Sequence, residues 1–181
     1  MNAEVHLTHL FDAGLITPNE LYYVRNHGAV PRLLWEFHQI DIEDGKLVLS
    51  MDDLKNRFKS INIPVVLACD ANRRKEFNMI KGSGAVSCAY WKVPLLRDVL
   101  LSAGLPERFP TSGGKRYWVS FEGADNPSEG KYSTCMPYDY AMDSNNDMLL
   151  AYQMNDEFLP PDHGYPVRVM IPGYVGGRRV K

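Results

Sequence analysis

The segment that most constrains the fold is an apolar run that ends in a single cysteine. Residues 63–68 are aliphatic, largely β-branched and of strand length, and Cys69 follows them directly. Three cations at Arg73, Arg74 and Lys75 lie within the next six positions. Nearby cations favour the thiolate, which is the form that binds metals and acts as a nucleophile. The pattern therefore predicts a strand with a poised thiol at its end, although a lone cysteine is more often a buried structural residue.

Composition indicates one ordinary globular domain. The chain has 181 residues and a formal net charge of -2, so attraction to nucleic acid or to anionic membranes is not expected from its overall charge. Its cysteines, Cys69, Cys88 and Cys135, show no close pairing of the kind used in disulfide frameworks or four-thiolate zinc sites. Residues 1–6 lack the features of a signal peptide, and no apolar run is long enough to span a bilayer. We therefore expect a soluble, cytoplasmic protein.

The first quarter of the chain contains short elements separated by turns. Residues 7–15 are amphipathic, and the Thr-Pro-Asn sequence at 17–19 ends the pattern. Residues 21–24 read as a strand, and the Arg-Asn-His-Gly sequence at 25–28 is predicted to be a loop at its end. Residues 46–49 alternate as a second short strand.

Two helices are predicted in the middle of the chain. Ser50 followed by Asp53 is a capping-box signature for a helix of about two turns. Residues 93–101 have apolar positions at helical spacing, with Pro94 in the predicted first turn and Gly104 placed to end the helix.

The second half of the chain is mostly strand. Residues 117–121 alternate, and residues 148–154 form a continuous apolar run before an Asn-Asp turn at 155–156. The segment 167–171 places its three aliphatic side chains on one face of a strand, so that Arg168 points the other way.

Several clusters along the chain share one chemistry. Besides the thiol segment they are the 25–27 loop, Asp125, the pair His163 and Arg168, and a final stretch of glycines and cations at 173–181. Together they offer one soft metal ligand and many groups that bind anions, and glycines let backbone N–H groups approach an anion closely. An anionic, phosphate-bearing metal cofactor needs this combination. A zinc enzyme or a P-loop needs spacings that the chain does not have.

The motifs that contain these residues resemble the molybdopterin domain of the sulfite oxidase family, in order and over nearly the whole chain. They are YVRNH at 23–27, Cys69 with NRRKE at 72–76, FEGAD at 121–125 and DHGYPVR at 162–168 with the end of the chain. Three further motifs, GLITP at 14–18, KEFNM at 75–79 and AYQMN at 151–155, make the eukaryotic assimilatory nitrate reductases the most similar branch.

The resemblance implies an α+β, mixed, β-rich sulfite-oxidase-type fold with several short helices. It implies that Cys69 is the thiolate ligand of molybdenum and that Arg25 and Arg74 hold the substrate oxyanion. It also implies a set of contacts to the pterin cofactor: Tyr23, Val24, Arg25, Asn26, His27, Cys69, Asp125, His163, Arg168, Arg179, Val180 and Lys181.

The implied activity is the reduction of nitrate to nitrite by two-electron oxygen-atom transfer, in nitrate assimilation. The cofactor is a molybdenum-molybdopterin, and the haem and FAD of the relatives belong to other domains. Residues 1–181 then form one molybdopterin-binding oxidoreductase domain that stops before the family's dimerisation domain. The implied partners are nitrate and an external electron donor, or haem and flavin domains. Neither nucleic acid nor membrane is expected as a partner.

The chain departs from the family pattern at three places. A Gly-Phe-Asn-Trp segment is missing between Lys81 and Gly82, a glycine is missing between Lys92 and Val93, and Ala71 replaces a glycine. The missing tryptophan lines the family's active site. A molybdopterin-binding remnant without catalysis and a sulfite oxidase-type activity are therefore the alternatives to nitrate reduction.

A Cys69 hydrolase with His27 or His163 as its base is a weaker alternative, because no motif orients a base towards the thiol.

Overall fold

A computed structural model describes residues 2–70, 72, 84–110, 112–126 and 130–181. Ala71, Arg74 and the junction between Lys81 and Gly82, on which sequence-based expectations were placed, lie outside these ranges. The four α-helices of the described residues are α1 (Leu7–Ala13), α2 (Met51–Arg57), α3 (Leu96–Ser102) and α4 (Tyr138–Met142). The strands are β1 (Asn2–Ala3), β2 (Val24–Arg25), β3 (Gln39–Ile42), β4 (Leu47–Ser50), β5 (Ser60–Ala68), β6 (Val86–Pro94), β7 (Trp118–Glu122), β8 (Ser133–Pro137), β9 (Leu149–Ala151), β10 (Gln153–Met154), β11 (Glu157–Phe158) and β12 (Arg168–Met170).

The predicted strand before the cysteine is confirmed, and it belongs to the largest sheet of the described chain. This sheet has the order β11-β10-β6-β5, and β5 pairs with β6 in antiparallel register from Ser60 opposite Pro94 to Ala68 opposite Val86. The backbone N–H of Cys69 donates to the Ala85 carbonyl at 2.9 Å and so extends the ladder by one residue. The thiol therefore stands at the end of a long, rigid ladder.

The position between Lys92 and Val93, where the family has one more glycine, falls inside β6. Lys92 pairs with Asn62 and Val93 with Ile61, so the ladder runs through this point without interruption. The pairing of β5 with β6 is therefore regular at the position where the family has this additional glycine.

Two apolar cores lie on either side of β12. Val169 and Ile171 pack in the first core with helix α3, whereas Met170 packs in the second with Trp91 of β6. Because successive side chains of a strand point to opposite faces, Arg168 faces the same side as Met170. The predicted alternation at 167–171 is confirmed, and it directs the Arg168 side chain away from the first core.

The predicted capping box is confirmed: the Ser50 hydroxyl accepts from the Asp53 N–H at 3.0 Å, and the Asp53 carboxylate accepts from the Ser50 N–H at 3.1 Å. The prediction that Pro94 lies in the first turn of the next helix is wrong, because Pro94 is the last residue of β6 and α3 begins at Leu96. Pairing of the preceding residues with β5 overrides their helical spacing.

Two predicted strands are shorter than expected. Of residues 21–24, Leu21 ends a short 3-10 turn (Asn19–Leu21) and only Val24 is in a strand, with Arg25, in β2. The 148–154 run divides into β9, which pairs with β12, and β10, which pairs with β6 and β11. The turn predicted after it is confirmed, with Asn155 and Asp156 at φ values of 50° and 64° between β10 and β11.

The small sheets and short helices confirm the predicted mixed α+β, β-rich fold. No helix among the residues that the structure describes is long and apolar enough to cross a membrane.

Candidate functional site

One cavity of about 430 Å³ collects most of the side chains that the sequence singled out. Ten of the thirteen predicted site residues line it: Tyr23, Arg25, Asn26, His27, Cys69, Asp125, His163, Arg168, Arg179 and Lys181. Val24 and Val180 are not in its lining, because Val180 packs in the first core and Val24 is half-buried in β2. Arg74 lies outside the described residues.

A second, larger cavity of about 790 Å³ lies over the first core. Of the predicted residues it contains only Arg168, Val180 and Lys181, and its floor is formed largely by aliphatic and aromatic side chains. We assign the candidate site to the smaller cavity because ten of the predicted site residues, Cys69 among them, converge there.

Cys69 is half-buried at the smaller cavity and is fixed by its backbone. Its N–H donates to Ala85, and its carbonyl accepts from the Asn72 N–H at 3.1 Å. The Asn72 side-chain amide also donates to the Ala85 carbonyl at 2.9 Å and accepts from the Ala85 N–H at 3.1 Å. Asn72 thus joins the ends of the segment between β5 and β6 beside the thiol.

The loop after β2 forms another wall. Arg25 pairs with Asn2 of β1, and the Asn2 side chain accepts from the Asn26 N–H at 3.2 Å. The Asn26 amide donates to the Asp162 carboxylate at 3.1 Å. The Arg25 guanidinium lies 3.5 Å from the exposed His27 ring.

Lys181 joins three separate parts of the chain at the cavity. Its ammonium group donates to the Arg25 carbonyl at 3.2 Å, to the Asp162 carbonyl at 2.8 Å and to the Asn26 side chain. Burial, together with repulsion from Arg168, lowers the pKa of Lys181 to about 7. The charge of this lysine is therefore sensitive to any anion in the cavity.

Arg168 and Arg179 are each only 3% exposed and donate to neutral carbonyl groups. Arg168 donates to the His163 carbonyl at 2.8 Å, and Arg179 donates to the carbonyls of Val66 at 3.1 Å and Tyr174 at 2.6 Å. In the described part of the chain, no carboxylate lies within ion-pair distance of either guanidinium. Burial lowers the pKa of Arg179 to about 10, with a further contribution from Arg168.

Two aromatic groups of the cavity stay neutral at ordinary pH. Burial lowers the pKa of His163 to about 4, and the charges of Arg168 and Lys181 act in the same direction. Burial also raises the pKa of Tyr23 to about 12, although Arg168 opposes this change. The positive charge of the inner cavity therefore comes from its guanidinium and ammonium groups.

The cavity has the features of a site for a multiply charged anion. Buried nitrogen atoms of Arg25, Arg168 and Arg179 have no hydrogen-bond partner among the residues that the structure describes. In the same part of the chain, the carboxylates of the cavity lining are those of Asp70 and Asp125, and the charge of Asp162 also acts on Lys181. Leaving such donors unsatisfied is costly, whereas phosphate oxygens would satisfy them. The residues thus fit the phosphate-bearing cofactor implied by the sequence, with Cys69 as the soft ligand for its metal.

A short 3-10 turn, Gly176–Arg178, completes the cavity wall. A Cβ atom at Gly176 would lie 3.2 Å from the Tyr23 hydroxyl and 3.4 Å from the Ala68 carbonyl. A residue larger than glycine would therefore fill the space between this turn and the end of β5.

Five lining residues were not among the predicted site residues: Leu67, Asp70, Tyr132, Gly176 and Gly177. The two glycines lie in the basic, glycine-rich end of the chain, and its composition could have indicated them as site residues. Tyr132 donates its hydroxyl to the Gly177 carbonyl from a segment distant in sequence, and no local pattern around it indicates this contact.

Comparisons with known proteins agree with the chemistry of the cavity. The family model described as oxidoreductase molybdopterin binding domain matches residues 27–181. The NADH nitrate reductase 1 of Oryza sativa subsp. japonica is 44% identical in an alignment 194 positions long, which covers 100% of this chain and 21% of that protein. The NADH nitrate reductase of Volvox carteri is 43% identical in an alignment 195 positions long, which covers 100% of this chain and 22% of that protein.

Among solved structures, the sulfane dehydrogenase SoxCD from Paracoccus pantotrophus is similar, with a TM-score of 0.75 and 27% sequence identity. The match covers 93% of this chain and 42% of that chain. The present chain spans about a fifth of the length of the nitrate reductases that it matches. On the family match and the whole-chain similarity, the chain belongs to the oxidoreductase molybdopterin binding domain family, as its resemblance to the sulfite oxidase family predicted.

Proposed function

We propose that this chain binds a molybdenum-molybdopterin cofactor in the smaller cavity and reduces nitrate to nitrite. The observation that supports the proposal most strongly is the convergence of one cysteine with buried guanidinium groups, some of whose N–H donors have no partner among the described residues. Such an arrangement is not expected in a purely structural core, because unpaired buried charge destabilises a fold.

Each predicted site residue has a role in this proposal. Cys69 is the protein ligand of the metal, and Arg25 with Arg74 holds the oxyanion of the substrate. The remaining groups of the cavity lining bind and orient the pterin cofactor: Tyr23, Asn26, His27, Asp125, His163, Arg168, Arg179 and Lys181. Val24 and Val180 are contacts that the family resemblance implies, and neither of them lines the cavity.

The chemistry that the cofactor supplies when bound is two-electron oxygen-atom transfer, in which nitrate gains two electrons and two protons and becomes nitrite and water. The protein contributes position and charge. The buried Arg25 Nε, which has no partner among the described residues, is an available donor for an oxyanion in the cavity, and its guanidinium lies near the exposed His27. The hydrogen bond from the Lys181 ammonium group to the Arg25 carbonyl fixes the backbone at Arg25.

Residues 1–181 act in this proposal as a single catalytic module. Electrons come from an external donor or from haem and flavin domains like those implied by the family resemblance. We prefer nitrate over sulfite as the substrate because the relatives from Oryza sativa and Volvox carteri, which match the whole chain, are named nitrate reductases. We also propose the cytoplasm and nitrate assimilation as the physiological setting, and homodimerisation through a domain outside this chain.

The test is to express the protein in a host that makes the cofactor and to measure its molybdenum by mass spectrometry. We expect close to one molybdenum per chain, and nitrate-dependent reoxidation of a dye-reduced sample. The Cys69→Ser variant should lose turnover. The exposed Cys135→Ser variant is the matched control and should keep both metal and turnover.

The alternatives give different results in the same experiment. Reduction of the oxidised, loaded protein by sulfite, without reoxidation of the reduced protein by nitrate, would identify a sulfite oxidase-type enzyme. A loaded protein without either turnover would identify a cofactor-binding remnant. An absence of molybdenum would overturn the proposal. Stoichiometric alkylation of Cys69 in the loaded protein would instead favour a thiol hydrolase, because a metal-bound sulfur resists alkylation.

A further inference from the structure

We propose that Trp91 is a positioning residue for the anion site, because the face of its indole ring holds the guanidinium group of Arg168 at the back of the cavity. This inference rests on the proposed function, in that Arg168 is taken to bind an anionic ligand. Trp91 itself is not in the lining of the cavity, and nothing in the sequence motifs singled it out.

The geometry places a cation over an aromatic face. The central carbon of the Arg168 guanidinium lies 5.7 Å from the centroid of the Trp91 ring. Trp91 is fully buried in the middle of β6, and its indole N–H donates to the Val65 carbonyl of β5 at 3.2 Å. The ring is thus fixed to the largest sheet, and its face lies towards Arg168.

Arg168 has few other groups to stabilise its charge. One of its terminal nitrogens donates to the His163 carbonyl, and its Nε has no partner in the part of the chain that the structure describes. Lys181 and Arg179 are close enough for the charge of Arg168 to lower their pKa values. A desolvated cation over an aromatic face is attracted by the quadrupole of the ring, and tryptophan is the strongest aromatic partner.

The same aromatic group also fixes the hydrogen-bond acceptor of Arg168. The Tyr22 and Trp91 rings pack in a T-shaped arrangement with centroids 6.0 Å apart, and Tyr22 packs in the same way on the His163 ring, with centroids 5.2 Å apart. Trp91 therefore contributes to Arg168 directly and, through Tyr22, to the residue whose carbonyl receives its hydrogen bond.

A large apolar side chain could fill the space of Trp91, but only an aromatic ring can attract the charge of Arg168 through its π electrons. Fluorination of the indole separates these roles, since it weakens the quadrupole of the ring with little change in shape. The single-tryptophan background Trp35→Phe with Trp118→Phe confines the label to Trp91. The matched control keeps only the exposed Trp118, through Trp35→Phe and Trp91→Phe.

The experiment measures the affinity of the full chain, purified without cofactor, for inorganic pyrophosphate by calorimetry. We expect progressive fluorination of Trp91 to weaken binding stepwise, by a total of between about 2-fold and 30-fold. Fluorination of Trp118 should leave the affinity unchanged. When Arg168→Met is added to the Trp91 background, the dependence on fluorination should disappear, and circular dichroism checks that this variant is folded.

The outcomes separate this inference from the proposed function. If the unlabelled protein binds pyrophosphate and the affinity is the same across the fluorinated series, Trp91 is only a packing residue and the inference is overturned. If a fluorine effect persists in the Arg168→Met variant, it does not act through Arg168 and the inference is again overturned. If the unlabelled protein does not bind pyrophosphate, the anion site itself is refuted.

Discussion

At the scale of single residues, the cavity contains buried cations that destabilise the fold. Arg168 and Arg179 are almost completely buried, yet within the described ranges their hydrogen bonds go to neutral carbonyls and three of their nitrogens have no partner. A buried cation without an anion destabilises a fold, because desolvation is not compensated by pairing. An anionic ligand would supply the missing charge, so we interpret these residues as a binding site whose cost the rest of the fold offsets.

Lys181 makes this interpretation testable by pH. Its pKa of about 7 means that the free cavity loses a positive charge as the pH rises through neutrality. A bound anion favours the ammonium form, so binding above pH 7 takes up a proton. We expect the affinity for sulfate, whose charge is constant in this range, to fall by up to about tenfold per pH unit above pH 7. Calorimetry in two buffers of different ionisation enthalpy measures the affinity and the proton uptake together.

The Lys181→Arg variant is the control for this effect, since arginine keeps its charge. Its sulfate affinity should be independent of pH above 7, and a slope equal to that of the native protein would contradict the assignment to Lys181. In the free native protein, the unfolded chain binds the Lys181 proton below its ordinary pKa of 10.5, whereas the folded chain binds it only below about 7. This lysine therefore makes the free energy of unfolding rise with pH between about 7 and 10.5.

At the scale of secondary-structure elements, the site is assembled where elements end. Cys69 follows β5, Arg25 ends β2 and is followed by Asn26 and His27 in a loop, and Arg168 opens β12. Local sequence patterns predicted the strand before the thiol, most of the loop at residues 25–28 and the orientation of Arg168. The side-chain alternation of a single strand is enough to decide such features.

The pairing of these elements could not be predicted from local patterns. The apolar run at 148–154 looks continuous, but its two halves pair with different strands. Pro94 suits the first turn of a helix by its chemistry, but it lies opposite Ser60 at the end of a nine-residue ladder. Contacts such as that between Tyr132 and Gly177, 45 positions apart, depend on the tertiary fold alone.

Asn72 gives a prediction at this scale, since its amide links the end of β5 to the start of β6. The change Asn72→Asp removes the donor to the Ala85 carbonyl and places a negative charge beside it. We expect a loss of about 1–3 kcal/mol in the free energy of unfolding and faster hydrogen exchange at the Cys69 and Ala85 amides. Denaturant unfolding and exchange followed by NMR measure the two effects.

Asn62 offers the matched control, because it is exposed in the middle of β5. The same chemical change there, Asn62→Asp, should alter the free energy of unfolding by less than about 0.5 kcal/mol. Equal effects of the two variants, or unchanged exchange at Cys69, would show that Asn72 does not secure this end of the ladder.

At the scale of the whole molecule, the smaller cavity draws on residues from near the start of the described chain to its last position. Tyr23 and Lys181 line the same space, and the Lys181 ammonium group bonds to the Arg25 carbonyl across a separation of 156 positions. A ligand that touches all of these groups bridges the two termini of the fold. Its binding should therefore stabilise the molecule as a unit.

Thermal unfolding tests this expectation. Pyrophosphate at a concentration of about 100 times its Kd should add about 2.7 kcal/mol to the free energy of unfolding, which raises Tm by roughly 5–11 °C for a chain of this length. At the same pyrophosphate concentration, the Arg168→Met variant should lose most of this increase, because the buried guanidinium no longer meets the anion. Lys131→Met removes an exposed cation that pairs with Glu122, so it should keep the full increase. An equal rise in Tm for both variants would show that pyrophosphate acts on the surface charge of the protein and not in the cavity.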